Sequence, residues 1–186
     1  MYNELEMNLA STENGRLSES ILTKSRAPYM HAVIRECHRI TPVVPTTSLK
    51  DNAGGEVEIH GKRFSRDSAL FTLNFYAIGM DPKHVPDCEV FRPERWFDDE
   101  IMARKGTVAE YLDHPLYREP FSSGARKCPG SRVASNEIHV MISQLLKDWK
   151  ISIMDETIQS WRDVDYSLRL AVQPTIPALI LEPRND

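Results

Sequence analysis

Proline marks where regular structure can start and stop in this chain. Pro28 suits the first turn of a helix, where its fixed φ is already helical and its missing N–H is not needed, and Pro42 and Pro45 end the same helix. Between them Met30, Val33, Ile34, Cys37 and Ile40 recur at steps of three and four, which predicts one apolar face. Farther on, Asp81-Pro82, Val85-Pro86 and Arg92-Pro93 predict a long irregular loop running through Trp96 to a charged segment near Lys105. Loops of that length usually carry function. A second amphipathic helix follows the turn-rich run PFSSGARKCPG, with Ala134, Ile138, Met141, Ile142, Leu145 and Leu146 as a wide apolar stripe.

The remaining stretches are shorter. Met1 to Ala10 carries Leu5 and Leu9 at helical spacing and is broken by Ser11 to Gly15. Strands are expected at Val57 to Ile59 and, past a turn around Gly61, at Ala69 to Thr72, with a short helix over Leu73 to Gly79. Ile151 to Ile153, Tyr166 to Val172 and Ala178 to Leu181 also read as strands, and no internal repeat is visible. The fold class is therefore mixed, mainly α with small β-sheets.

A length of 186 residues fits one domain or part of a larger one. A net charge of -4 argues against a nucleic-acid partner. No basic stretch leads into an apolar run at the start, and no run of apolar residues is long enough to span a bilayer, so localisation is not legible. The cysteines, Cys37, Cys88 and Cys128, are odd in number and far apart, which suggests neither a disulfide framework nor a zinc knuckle. The six histidines form no HExxH pattern and are expected at the surface or in packing.

Chemistry concentrates in Phe121-Ser-Ser-Gly124-Ala-Arg126-Lys-Cys128-Pro-Gly130. Two glycines permit a tight path that presents a cysteine just before a helix, whose positive end favours the negatively charged sulfur that a metal binds. Arg126 is a fixed cation suited to a carboxylate of a bound cofactor, Pro129 is tolerated at a helix start, and Phe121 can shield the sulfur. This segment matches, at every fixed position, Phe-x-x-Gly-x-Arg-x-Cys-x-Gly, and so resembles the haem-ligand signature of the cytochrome P-450 family. The resemblance implies that Cys128 is the axial ligand of a haem iron, with Phe121, Gly124, Arg126 and Gly130 as cofactor-binding positions.

Two further elements resemble the family. Glu36-Cys-His-Arg39 is similar to its helical Glu-x-x-Arg pair, and Phe91-Arg-Pro93-Glu94-Arg95-Trp96 to its Pro-Glu-Arg-Phe element, with Trp96 where phenylalanine is commoner. The implied arrangement is a buried structural triad of Glu36, Arg39 and Arg95 that holds the loop before Cys128. By the same resemblance PVVPTTS would line a substrate pocket, through Val43, Val44, Thr46 and Thr47, and Lys50 beside Leu49 would substitute for a propionate-binding arginine. Ala53-Gly54-Gly55-Glu56 reads as a hairpin turn. The matched order of elements covers Met1 to Pro183, and the run from Asn136 to Ile151 looks most like mitochondrial-type, ferredoxin-dependent members.

What this implies is a haem-dependent monooxygenase acting on a small apolar organic substrate, residues 1–186 forming the C-terminal, haem-ligating portion of one domain. The family's acid–threonine helix and Trp-x-x-x-Arg helix, and any membrane anchor or targeting peptide, would belong to an N-terminal portion absent here. The alternative is a truncated haem-binding remnant without turnover. Arg118, Arg126, Lys127 and Arg132 face only Glu119 in their stretch of sequence, and Arg35, Lys127 and Arg132 would steer an acidic electron donor, ferredoxin or reductase.

Overall fold

The computed structural model describes residues 1–12, 17–47, 49, 54–65, 68–118, 120–168 and 171–184. Helix α1 (Tyr2–Ala10) leads by a single 3₁₀ turn, Glu19–Ile21, to α2 (Pro28–Ile40). Next come the hairpin of β1 (Val57–Ile59) and β2 (Lys62–Phe64), and α3 (Phe75–Gly79). The proline-rich stretch is not structureless. It carries 3₁₀ turns at Pro93–Trp96 and Val108–Asp113 around α4 (Asp98–Ala103), and leads to α5 (Pro115–Arg118). A 3₁₀ turn, Gly124–Arg126, precedes α6 (Ser131–Asp148) and four strands, β3 (Trp149–Ile153), β4 (Tyr166–Leu168), β5 (Val172–Pro174) and β6 (Leu179–Pro183), with a further 3₁₀ turn, Trp161–Asp163, between β3 and β4. Strands pair antiparallel as β1 with β2, β3 with β6, and β4 with β5. The mixed, mainly helical class with small sheets is what the sequence predicts.

Helix α2 begins at Pro28 with no capping side chain of its own. Instead the Glu4 carboxylate of α1 accepts the backbone N–H groups of Tyr29 at 2.8 Å and Met30 at 3.1 Å, placing an anion at the positive end of the helix. Leu5, Ile21, Leu22, Ala27 and Met30 form one apolar core, onto which Ile142 and Leu146 of α6 pack; Ala32, Val85, Cys88, Trp96 and Leu112 form a second. Of the apolar face expected on α2, Met30 and Ile40 are buried, Val33 and Ile34 are half-buried, and Cys37 is exposed. Glu36 and Arg39 take the buried positions, because an ion network rather than an apolar seam fills the space beside this helix.

Three strand assignments differ from the expectation. The partner of β1 is β2, closed by His60 and Gly61, both in the left-handed region (φ 51° and 74°), as a two-residue hairpin turn requires. Its Lys-Arg-Phe sequence lacks the β-branched pattern that signals strands. The stretch expected at Ala69 to Thr72 instead leads into a short pairing with the chain after α2, where Thr47 N–H donates to Leu73 O at 2.9 Å and Thr46 bridges Asn74. Tyr166 to Val172 is two strands, β4 and β5, rather than one.

The apolar stripe of α6 is only partly covered. Met141 and Leu145 of the stripe are exposed, as is Val133 outside it, and Ser143 is the buried residue of the helix. The chain as a whole exposes 12,893 Å², against about 9,100 Å² for a compact monomer of its mass.

Candidate functional site

Glu36, on the inner side of α2, is fully buried and accepts five hydrogen bonds. Its Oε1 takes Arg39 Nη2 at 2.7 Å, Arg95 Nε at 3.0 Å and the Arg92 backbone N–H at 3.0 Å; its Oε2 takes Arg39 Nε at 3.0 Å and Trp96 Nε1 at 2.8 Å. Burial opposes ionisation most strongly, yet the Arg39 hydrogen bonds, the Arg92 N–H and the charges of Arg39 and Arg95 together outweigh it and hold the carboxyl below its usual range. Two guanidiniums facing one carboxylate leave an excess positive charge in the interior. Backbone carbonyls answer it: Arg39 donates to Gly79 O and Cys88 O at 2.8 Å each and to Val90 O at 3.3 Å, while Arg95 donates to Pro86 O, Asp87 O and Val90 O. The loop of residues 79–90 is thus folded around two cations that take the carbonyl groups of Gly79, Pro86, Asp87, Cys88 and Val90.

The residues named for the triad from sequence do come together, and two participants were not foreseen. Trp96 donates its indole N–H to Glu36 while its ring lies under the Arg35 guanidinium at 3.8 Å, with Arg104 at 5.3 Å. Arg104 in turn donates to the Arg95 carbonyl and grips Asp113 with two bonds of 2.6 and 2.7 Å. Tryptophan in place of phenylalanine was the available signal, since only the indole brings a donor that needs a buried acceptor. Gly79 is also required: a Cβ there would lie 2.7 Å from Arg39 O. Arg35, expected to steer a partner, is half-buried between Trp96 and Asp113, 3.8 Å from that carboxylate, and so serves the interior.

The cysteine loop is closed on itself. Cys128 N–H donates to Phe121 O at 3.0 Å, Gly124 turns the chain in the left-handed region at φ 72°, and Ser131 N–H at the start of α6 donates to Cys128 O at 3.2 Å. The Phe121 ring meets His38 of α2 edge-on at 6.3 Å, which ties the loop to the helix that carries Glu36. Cys128 is exposed, whereas Cys88 is buried and Cys37 lies on α2. An accessible thiol on a hydrogen-bonded turn before a helix N-terminus, flanked by exposed Lys127 and Arg132, suits an anionic, metal-centred group. Gly130 precedes α6, and a Cβ on it would come no closer than 3.8 Å to Cys128 Sγ. The Arg126 side chain and Lys50 lie outside the described residues. Val43, Val44 and Thr46 are exposed, Thr47 hydrogen-bonds the Leu73 N–H at 3.0 Å, and a cleft of about 490 Å³ at Lys24, Pro28 and Trp96 involves none of the four.

The same arrangement of elements occurs in solved proteins. A retinoic acid-bound cyanobacterial protein superposes with a TM-score of 0.75 at 19% identity, over 98% of this chain and 38% of its own. A zebra fish cytochrome P-450 solved with abiraterone does so with a TM-score of 0.73 at 25% identity, over 99% and 39%. The architecture is therefore that of the cytochrome P-450 fold. The family model described as Cytochrome P-450 matches residues 3–175, and the chain belongs to the cytochrome P-450 family. Among curated relatives it is 30% identical to dimethylnonatriene synthase of Arabidopsis thaliana over 85% of this chain, and 34% identical to mitochondrial sterol 26-hydroxylase of Mus musculus over 68%. It spans 28% and 22% of the length of those two proteins.

Proposed function

We propose that this chain is the C-terminal, haem-ligating portion of one monooxygenase domain, and that Cys128 Sγ is the axial ligand of the haem iron. The observation that carries the reading is the exposed Cys128 thiol on a loop closed by the Phe121–Cys128 backbone bond, immediately ahead of α6. The share of the relatives' length that is matched, and the apolar surface left open on α6, support its being part of a larger domain. Thiolate-ligated haem supplies oxygen activation, the thiolate pushing electron density that favours O–O cleavage.

The protein's own residues position that chemistry. Phe121 and Gly124 shape the turn that presents the sulfur, Arg126 is the cation for a haem carboxylate, and Gly130 leaves the sulfur's approach unencumbered. Glu36, Arg39 and Arg95, with Trp96, fix α2 and the loop of residues 79–90, and His38 carries that order to Phe121. The exposed cations Lys127 and Arg132 lie beside the sulfur, where they would draw in an acidic electron-donor protein. A small apolar organic substrate fits the family, and the 34% identity to a sterol hydroxylase favours that class. Val43, Val44, Thr46 and Thr47 are the pocket positions proposed for this chain.

The test is reconstitution with haemin, reduction, and the carbon monoxide difference spectrum. A red-shifted, thiolate-type Soret band is expected in the parent protein, in Cys37→Ala and in Cys88→Ala, and its absence in Cys128→Ala. Persistence of the band in Cys128→Ala, or its loss in Cys88→Ala alone, overturns the ligand assignment.

A further inference from the structure

His31, in the first turn of α2, and His139, midway along α6, pack against each other where the two helices meet, with ring centroids 4.1 Å apart and planes tilted by 40°. His31 Nε2 is 2.8 Å from Leu22 O, and His139 Nδ1 is 2.6 Å from Ser135 O. A carbonyl oxygen only accepts, so each of these nitrogens carries its ring's proton. The other two, His31 Nδ1 and His139 Nε2, stand 3.3 Å apart, nearly as far as the ring centres. The rings therefore overlap, and their lone pairs pass one another rather than meet. A further proton, added to His31 Nδ1, finds no acceptor aligned with it among the described residues.

We propose that the His31–His139 stack is an acid-released latch between α2 and α6. Closed, it seats α6 beside Leu22, a residue of the apolar core onto which Ile142 and Leu146 pack, and beside Met30, whose sulfur meets the buried Ser143 hydroxyl at 3.5 Å. A proton on one imidazole places a cation in a half-buried seam, and protons on both set like charges face to face. The groups around His31 favour the neutral ring. Burial is the main influence lowering its pKa; the Leu22 carbonyl opposes this, His139 adds to it, Glu4 opposes it and Lys24 adds to it. Glu4, from α1, commits its carboxylate to the N–H groups of Tyr29 and Met30, and Lys24 is paired with Asp98. The closed seam thus holds fewer protons than the open one. Its contribution is complete above the ordinary histidine value of 6.5 and is lost as pH falls through the lowered folded value. Because Ser131 N–H at the start of α6 bonds Cys128 O, release of this helix also loosens the cysteine loop, whatever that loop binds.

The experiment is an acid titration of the ¹⁵N-labelled 186-residue protein between about pH 8 and 5, following imidazole nitrogen resonances together with amide hydrogen exchange along α6. His31 is expected to take up its proton below pH 6.5. As it does so, exchange in α6, corrected for its intrinsic pH dependence, should rise by up to about tenfold per pH unit for each proton gained on opening. His31→Gln retains a donor for Leu22 O and should flatten this rise. His139→Phe keeps a packed ring without its charge and should move the His31 titration towards 6.5. In His38→Gln, about two turns farther along α2, the rise should persist. The proposal is overturned if His31 titrates above 6.5, as a proton shared across the stack would require, or if His139→Phe leaves its titration unmoved. It is equally overturned if α6 exchange follows acid as steeply in His31→Gln, or if the rise disappears in His38→Gln instead. The parent protein's resonances and amides decide the matter even where a variant fails to fold.

Discussion

Replacing Glu36 by glutamine keeps the side chain's shape and removes its charge, which isolates what the anion does. In the rotamer that preserves the three bonds to Oε1, the new NH₂ group faces Arg39 Nε and Trp96 Nε1, two donors left without an acceptor. Arg39 and Arg95 become buried cations with no anion between them. Breaking one partner of a buried ionic set costs about 3–5 kcal/mol, and each orphaned donor adds about 1–3 kcal/mol. The upper half of that range matches much of the whole stability of a domain, about 5–15 kcal/mol. Urea unfolding followed by tryptophan fluorescence should therefore show a large fall in midpoint, or no native baseline. The acid limb carries a second signature. Because the folded carboxyl titrates below the ordinary value of 4.5, its contribution is complete above that pH and is lost as pH falls through the lowered folded value. Glu36→Gln should remove this part of the acid dependence while leaving the rest. A loss below about 1 kcal/mol, the scale of an exposed pair such as Lys24 with Asp98, would refute the reasoning that the network organises the loop.

Trp96→Phe restores the commoner family residue but deletes the indole donor to Glu36, and should destabilise by about 1.5–3 kcal/mol, the worth of a hydrogen bond to a charged group; an unchanged urea midpoint would show that the ring's packing alone matters. Gly79→Ala places a methyl 2.7 Å from Arg39 O and should cost about 1–3 kcal/mol through forced backbone shifts, whereas Gly130→Ala, with 3.8 Å to the nearest atom, should leave thermal unfolding of the haem-free protein unchanged. Lys127→Glu with Arg132→Glu should slow reduction by an acidic donor protein in stopped flow and flatten its salt dependence, without altering reduction by dithionite.

What could be read in advance followed from chemistry tied to short spacing. Pro28 fixed the start of α2, and the cysteine turn needed only Gly124 and the helix after it. The charged triad was legible only through the family resemblance, since a glutamate and an arginine three apart on a helix usually form an exposed pair. The apolar pattern misled on α2 because periodicity ranks residues by hydrophobicity. It has no means of seeing that the carbonyls of Gly79, Cys88 and Val90 need donors, and Arg39 gains a buried place by supplying them.

The roles of Trp96 and Arg35 were hidden for a related reason, because both depend on who lies across the fold. An indole N–H gives no sign in sequence of the carboxylate it will reach, here separated by sixty positions, and an arginine near a basic loop looks like a surface charge until an aromatic ring is found beneath it. The contact between His31 and His139 was hidden in the same way. Histidines so distant in sequence give no sign that they will meet, yet His31 of α2 and His139 of α6 stand with ring centroids 4.1 Å apart, each bonded to a backbone carbonyl. Chemistry of that kind resides in the contact between helices, and neither helix alone encodes it.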